Sequence, residues 1–132
     1  MGRRNINVLD DLYEKSQYTW SDAVKKGKII AISGLVATDE HHRTLHPGDL
    51  QGQMRVIYEQ LRKILKMAGG SLNDVIKTVD YITPQAVVDY PSTAEIRREY
   101  FKDNYPAATG IIVNGLLHRD WLIEIEALAV LD

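Results

Sequence analysis

The hydrophobic residues of this chain recur with strand and helix periods in separate segments. A β-branched run at 28–32 follows Gly27, which predicts a buried strand joined to 20–24 in a hairpin, since glycine turns the chain at little steric cost. Between 50 and 68, apolar residues recur at intervals of three and four, which predicts an amphipathic helix. The pair Gly69-Gly70 is expected to end this helix.

The second half of the chain shows three further periodic segments. Residues 75–82 alternate in polarity, which predicts a strand. Ser92–Glu95 has the spacing of a capping box, which predicts a second helix that runs to about Lys102. The segments 109–113 and 121–131 are typical of two final strands.

The predicted order is strand, strand, helix, strand, helix, strand, strand, without internal repeats. Two helices on one face of a mixed sheet form an α+β layer architecture. We expect residues 1–132 to form a single domain in which 1–17 is an arm or an edge segment. The second face of such a sheet is uncovered, and if it is apolar it requires a partner subunit.

Composition narrows the possible functions. The 132 residues are 45% hydrophobic, which is enough for a real core. The absence of cysteine removes disulfides, thiolate zinc sites, iron–sulfur clusters and a cysteine nucleophile, and it fits a reducing compartment. A net charge of −2 does not favour nucleic acid. Neither a signal peptide nor a membrane-spanning run is evident in the sequence, so we expect a cytoplasmic protein that does not bind membranes.

Motifs for phosphate loops, dinucleotides, zinc proteases and serine esterases are absent from the sequence. Three histidines, His41, His42 and His46, lie with two acidic residues in the polar loop 38–48, before the expected helix cap Asp49. Imidazole and carboxylate groups can bind divalent metals, but this spacing matches no common metal site. We therefore interpret the loop as solvated surface and expect no metal.

Two glutamates on the last predicted strand are the main candidates for acid–base chemistry. Glu124 and Glu126 alternate with apolar residues and so share one face with Leu128 and Val130. Partial burial would raise a carboxyl pKa and allow proton transfer near neutrality. Composition alone favours the alternative, an exposed face on which both glutamates pair with lysine or arginine.

The pair Ser33-Gly34 follows the predicted buried strand. Glycine at such a place lets a ligand approach backbone N–H groups closely, although a Ser-Gly pair is more commonly only a turn.

Taken in order, several segments resemble the RidA/YjgF family, also called L-PSP or reactive intermediate deaminases. The matching pieces cover most of the chain and are Trp20–Gly27, Ile32–Gly34, Gln53, Arg55, Ala68-Gly69, Asp74–Thr78, Tyr100-Phe101, Pro106-Ala107 and Ile123–Val130.

The resemblance implies a chorismate-mutase-like α+β fold that assembles as a homotrimer with a central barrel. It implies ligand clefts between subunits, hydrolysis of reactive enamines and imines to a keto acid and ammonia, and no metal or organic cofactor. Family members hold the substrate carboxylate with an arginine after Pro-Ala, and a glutamate that corresponds to Glu124 positions the attacking water.

This sequence departs from the family pattern at the carboxylate anchor, because Ala108 follows Pro106-Ala107. We expect a wider and more apolar pocket than the family has, with Glu124 as the catalytic residue. The substrate-binding residues predicted on this basis are Trp20, Ser33, Gly34, Leu35, Ala108, Thr109, Gly110 and Arg119. Trp20 could equally serve core or interface packing, and His118 or Arg119 could meet a charged group of the ligand.

Three hypotheses remain open at this point. The first is a trimeric deaminase for a pathway-specific small molecule that is larger than aminoacrylate or aromatic. The second is a non-catalytic trimer that binds a small molecule or a protein in the same cleft. The third is a ribonuclease or translation inhibitor, against which the pI of about 6.1 argues.

Overall fold

The computed structural model describes residues 2–9 and 18–132, which form a six-stranded mixed sheet and two α-helices. The strands are β1 (Arg3–Ile6), β2 (Ala23–Lys26), β3 (Ile29–Leu35), β4 (Val75–Ile82), β5 (Ala107–Ile112) and β6 (Ile123–Val130), and the helices are α1 (Leu50–Met67) and α2 (Ala94–Phe101). Both helices pack on one face of the sheet, which confirms the predicted α+β class. None of the helices in the described ranges is long and apolar enough to cross a membrane.

The strand order is β1-β2-β3-β6-β4-β5, in which only the β4–β5 pair is parallel. The predicted hairpin forms between β2 and β3, with Gly27 at a φ of 60° in the turn. β1 pairs with β2, so this part of the predicted arm is an edge strand. Residues 10–17 of that arm lie outside the described residues.

Helix α1 begins and ends as its sequence predicts. The Asp49 carboxylate accepts a hydrogen bond from the Gly52 N–H at 3.0 Å, which satisfies a free donor in the first turn. At the other end, Gly69 has a φ of 90°, and the Gly70 N–H donates to the Leu65 carbonyl at 2.8 Å. This pattern is a Schellman motif, which needs the left-handed conformation that glycine provides.

The capping box predicted at Ser92–Glu95 does not form. The hydroxyls of Ser92 and Thr93 donate backwards, to the carbonyls of Asp89 and Tyr90, at 2.6 Å each. The reason is that the chain enters α2 from a 3-10 turn at Tyr90–Thr93 rather than from extended backbone. A hydroxyl that follows helical backbone faces the preceding turn and cannot reach the next N–H groups.

The core lies between the helices and the inner face of the sheet. On β6 the inward residues, Ile123, Ile125, Ala127 and Ala129, are buried, while the alternate residues are half-buried on the opposite face. Glu124, Glu126, Leu128 and Val130 therefore share that opposite face, as predicted. No helix of the described chain covers it, and β5 is exposed along its whole length.

Candidate active site

A cleft of about 970 Å³ opens between the end of β3, helix α1 and the loop 38–46. Five predicted site residues line it, namely Trp20, Ser33, Gly34, Leu35 and Glu124. These five residues are about half of the predicted site, and the fold brings them together from positions up to 104 residues apart in the chain.

Glu124 lies directly against the backbone of Gly34. A Cβ atom at position 34 would overlap the Glu124 carboxylate and lie 2.8 Å from its Cδ. The pairing of β3 with β6 shifts register between Ile32 and Leu35, so the strand is irregular at this contact. Glycine at position 34 therefore leaves room for the carboxylate, and a side chain there would force Glu124 to move.

Ser33 fixes the position of this irregular segment. Its hydroxyl donates to the Ser21 carbonyl at 2.6 Å, and its N–H donates to the Asp22 carbonyl at 2.9 Å. The serine thus anchors β3 to the segment before β2. This arrangement gives Ser33 a positioning role beside the Gly34 backbone.

The electrostatic surroundings of Glu124 favour its protonated form. Partial burial raises the pKa of Glu124, and the negative charge of Glu126 raises it further. Glu126 accepts a hydrogen bond from the Tyr81 hydroxyl on β4. Within the described residues neither glutamate forms an ion pair with lysine or arginine, so the composition-based expectation for this pair is wrong.

Aromatic rings form one wall of the cleft. The Tyr18 ring lies 4.8 Å from that of Trp20 and 4.9 Å from that of His42, centroid to centroid. Trp20 keeps 55% of its surface exposed, so this wall is open to the cleft. Trp121 also lines the cleft and donates a hydrogen bond from its indole nitrogen to the Thr44 hydroxyl at 3.1 Å.

The sequence did not reveal Tyr18, His42 or Trp121 as cleft residues. His42 was interpreted as solvated loop and is indeed exposed, and in addition it lines the cleft and contacts Tyr18. No periodicity marks a loop residue that packs on a segment 24 positions away. Among residues 2–9 and 18–132 no group of three or more metal-ligating side chains is arranged to hold a metal ion.

The remaining predicted residues lie elsewhere in the protomer. Ala108, Thr109 and Gly110 are exposed on the edge strand β5, and Arg119 does not line the cleft. β4 separates β5 from β6, so the two strands are roughly 10 Å apart.

The faces of the sheet separate these residues further. Ala108 and Gly110 pair with Thr78 and Asp80, which face the helices, whereas Glu124 lies on the opposite face. One protomer therefore does not bring Ala108 or Gly110 to Glu124. Thr109 faces the other way and accepts a hydrogen bond from Lys77 Nζ at 2.7 Å.

A buried polar cluster behind β5 was not foreseen from the sequence. The Tyr90 hydroxyl donates to Asp80 Oδ2 at 2.7 Å, and Arg97 Nη1 lies 3.6 Å from the same oxygen. The Arg97 guanidinium also lies over the Tyr90 ring, 5.2 Å from its centroid. Burial raises the pKa of Asp80, against the opposing effects of Tyr90 and Arg97.

Comparison with known proteins identifies the family. The sequence profile described as endoribonuclease L-PSP matches residues 13–131. The chain belongs to this family, known also as RidA/YjgF. The resemblance found in the sequence is therefore confirmed.

Relatives and solved structures agree with this membership. The 3-aminoacrylate deaminase RutC of Acinetobacter baylyi is 38% identical over 107 residues, 81% of this chain and 82% of that protein. A RutC family protein of Pyrococcus horikoshii is 37% identical over 110 residues, 83% and 85% of the two chains. The solved structure of YyfA, a Rid family protein of Yersinia pestis, matches the fold with a TM-score of 0.85 at 22% identity, covering 98% of this chain and all of that one.

Proposed function

We propose that this RidA-family protein hydrolyses the C=N bond of an imine, formed directly or from its enamine, and releases ammonia. The observation that carries this proposal is the Glu124 carboxylate, which is partly buried against Gly34, faces a cleft and has no cationic partner among the described residues. A relative 38% identical over most of both chains is named 3-aminoacrylate deaminase, which supports the same reaction class.

The geometry suits a carboxylate that holds and deprotonates water. In the proposed reaction an enamine takes a proton on carbon, or an imine takes one on nitrogen, and either becomes an iminium ion. Water then adds to the iminium carbon, and Glu124 accepts the proton that the water loses. Glu124 returns this proton to the amine nitrogen of the resulting carbinolamine. The C–N bond then breaks and ammonia leaves, while Glu124 accepts the hydroxyl proton as the carbonyl forms. The raised pKa of Glu124 favours these transfers, since the group can change protonation state nearer to neutral pH.

The site requires a second subunit in this proposal. The exposed β5 strand carries Ala108, Thr109 and Gly110, and the face of the sheet that bears Glu124 is not covered by a helix. A homotrimer that packs these faces together would bring β5 of one copy to the cleft of the next, as the family resemblance implies. Such a closed assembly would also remove the exposed edge of the sheet from solvent.

The cleft favours a substrate with an apolar or aromatic group. Trp20 and Tyr18 line one wall with their rings packed edge to face, and Leu35 contributes apolar surface. Aromatic contacts of this kind contribute about 0.5–1.5 kcal/mol beyond burial of area. The proposed substrate is therefore larger than aminoacrylate.

The test is ammonia release from imines generated in situ by an amino-acid oxidase in the presence of catalase. Imines from phenylalanine and from alanine would be compared for the native protein and for Glu124→Gln, with Glu95→Gln as the matched surface control. We expect release above the spontaneous rate, faster with the phenylalanine-derived imine, and a loss of at least ~100-fold in Glu124→Gln. Equal rates for native protein and Glu124→Gln would contradict the proposal.

The alternative is a trimer that binds the same ligands without turning them over. The small side chain of Ala108, at the position where the family carries its carboxylate anchor, favours this alternative. Saturable binding of the product keto acid, with no ammonia release from any imine, would establish it.

A further inference from the structure

Behind β5 the fold buries an ion pair, Asp80 with Arg97, that is incompletely hydrogen-bonded within the described residues. The Asp80 side chain is only 5% exposed, and its Oδ1 atom has no hydrogen-bond partner among the described residues. Arg97 Nη1 is likewise buried and without a hydrogen bond. A buried ion pair with unsatisfied atoms is commonly no more stable than apolar residues of the same volume. A role in ligand binding would account for this Asp80–Arg97 pair.

The cluster lies immediately under the part of β5 that lacks large side chains. Asp80 is the register partner of Gly110. The Tyr90 hydroxyl lies 3.5 Å from where a Cβ atom of Gly110 would be. Ala108 and Gly110 face the same side as the cluster, and both are exposed. At the two register positions beside Thr78 and Asp80, this face of β5 therefore carries no side chain longer than a methyl group, and the next residue on the face is Ile112.

Arg97 is held in a way that leaves part of it accessible. Its Nη1 atom faces Asp80, and its guanidinium plane is supported by the Tyr90 ring, while a quarter of the side chain is exposed. A guanidinium has five donors in a rigid fork that matches a carboxylate. The contacts with Asp80 and Tyr90 thus fix the orientation of the guanidinium.

We propose that Arg97 binds the substrate carboxylate at the β5 edge and is the specificity-determining cation of the site, with Asp80 as its positioning residue. This inference rests on the proposed function, in which β5 of one subunit borders the cleft of the next. The carboxylate would reach Arg97 past Ala108 and Gly110, whose small side chains leave the way open.

Other cations are the alternatives for this role: Arg55 and Lys63 line the cleft, and Lys77 and Arg119 lie outside it. Lys77 donates to Thr109 on the opposite face of the sheet, which directs it away from Arg97. Arg119 is exposed in the loop before β6. Asp80 partly offsets the charge of Arg97, which lies 3.6 Å from its Oδ2 atom.

The experiment measures binding of phenylpyruvate and of phenylacetone, the same ketone without the carboxylate, by calorimetry on the full-length protein. Variants are Arg97→Met and Arg119→Met, with Arg98→Met as the matched control because Arg98 pairs with Glu95 at the surface. We expect Arg97→Met to weaken phenylpyruvate binding about tenfold or more and to change phenylacetone binding less than about twofold, since only the acid uses charge-assisted hydrogen bonds.

Two further variants guard against misfolding. Arg97→Met alone leaves the buried Asp80 carboxylate without its cationic partner. The double variant Asp80→Leu with Arg97→Met therefore replaces the whole pair by apolar groups. It should fold and show the same selective loss. Adding Ala108→Arg to this background places a new guanidinium on β5 and should restore phenylpyruvate binding.

The outcomes separate this inference from the proposed function. Ligand binding is read without turnover, so an inactive protein that binds phenylpyruvate through Arg97 would still support the role of Arg97. Equal losses for the acid and the ketone would mean a purely structural role and would overturn the inference. A selective loss in Arg119→Met instead of Arg97→Met, or no binding of phenylpyruvate by the native protein, would overturn it as well.

Discussion

At the scale of single residues, the chemistry of the site depends on what surrounds Glu124. The backbone of Gly34 leaves room for the Glu124 carboxylate, and the negative charge of Glu126, two residues away, raises the pKa of Glu124. Glu126 is itself held by the Tyr81 hydroxyl, so its charge stays close to Glu124. The position of the Glu124 carboxylate and its pKa therefore have separate causes, and a substitution can change one without the other.

Glu126→Gln should alter the pH dependence of turnover rather than abolish it. A base works in its deprotonated form, so the rate falls as pH drops through the pKa of Glu124. Since the charge of Glu126 raises that pKa, removing the charge should move the acidic limb of the kcat/KM profile to lower pH. Profiles of native protein and variant would be compared at constant ionic strength. A limb that stays in place or moves to higher pH would contradict this account of the pKa.

Gly34→Ala should reduce activity while the fold is retained. The added methyl group overlaps the Glu124 carboxylate, which must move, and a shift of about 1 Å in a catalytic group can cost roughly 100-fold in rate. Gly115→Ala is the matched control, since nothing lies within 4 Å of its added Cβ. Circular dichroism would monitor folding, and full activity in Gly34→Ala would show that Glu124 is not held there for catalysis.

The sequence predicted residues whose role follows from local pattern. Strand alternation placed Glu124 and Glu126 on one face, and the position after a buried strand drew attention to Ser33-Gly34. The catalytic role of Glu124 and the places of Trp20 and Leu35 came from the family resemblance. The buried pair of Asp80 and Arg97 was missed because its partners are 17 residues apart on different elements, and no periodicity relates them. Tyr18 and His42 were missed for the same reason.

At the scale of elements, helix α1 is fastened by contacts at its carboxyl end. Lys25 Nζ donates to the Ala68 carbonyl at 2.8 Å, and an Arg4 guanidinium nitrogen donates to the Met67 carbonyl at 2.9 Å. These cations meet carbonyls that lack partners within the helix, at the negative end of its dipole. The edge strands β1 and β2 are thereby tied to α1.

Lys25→Met should destabilise the protein by about 1 kcal/mol, since it removes a charge-assisted hydrogen bond at a partly exposed site. Lys26→Met is the control, because Lys26 is exposed at the next position of β2. Urea unfolding at one fixed protein concentration would give the change in the free energy of unfolding for each variant. Equal effects of the two substitutions would mean that the Ala68 contact contributes nothing.

The elements themselves show what sequence patterns can and cannot predict. α1 and β6 are long and strongly periodic, and both formed as predicted. β1 has only four residues and lies at the sheet edge, where pairing with β2 rather than an apolar pattern determines it. The capping box at Ser92–Glu95 failed because the preceding 3-10 turn, set by tertiary packing, reoriented the hydroxyls.

At the scale of the whole molecule, the predicted site is divided between two places in one protomer. The cleft holds Glu124, while β5 presents Ala108 and Gly110 at an exposed edge on the other face. The sequence predicted both groups, but their separation follows from the strand order, which places β4 between β5 and β6. An assembly of copies is the arrangement we propose to reunite them.

The sheet face opposite the helices should form the contact between copies. Sedimentation equilibrium should give a mass near three chains of 15.0 kDa. Leu128→Glu places a charge on that half-buried face and should yield monomers, since an unpaired charge is costly in an apolar contact. A native protein that is monomeric at micromolar concentration would contradict the shared site.

The most direct test mixes two variants that are inactive for different reasons. Glu124→Gln removes the base, and Ala108→Glu puts a carboxylate where the substrate carboxylate is expected to approach. After unfolding and joint refolding in equal amounts, each mixed trimer would hold one site that combines a native Glu124 from one copy with a native β5 from the next, which is about one quarter of all sites in the mixture. The account predicts that ammonia release returns to about one quarter of the native rate. Activity that stays absent in verified mixed trimers would show that no site is shared between copies and would contradict the account.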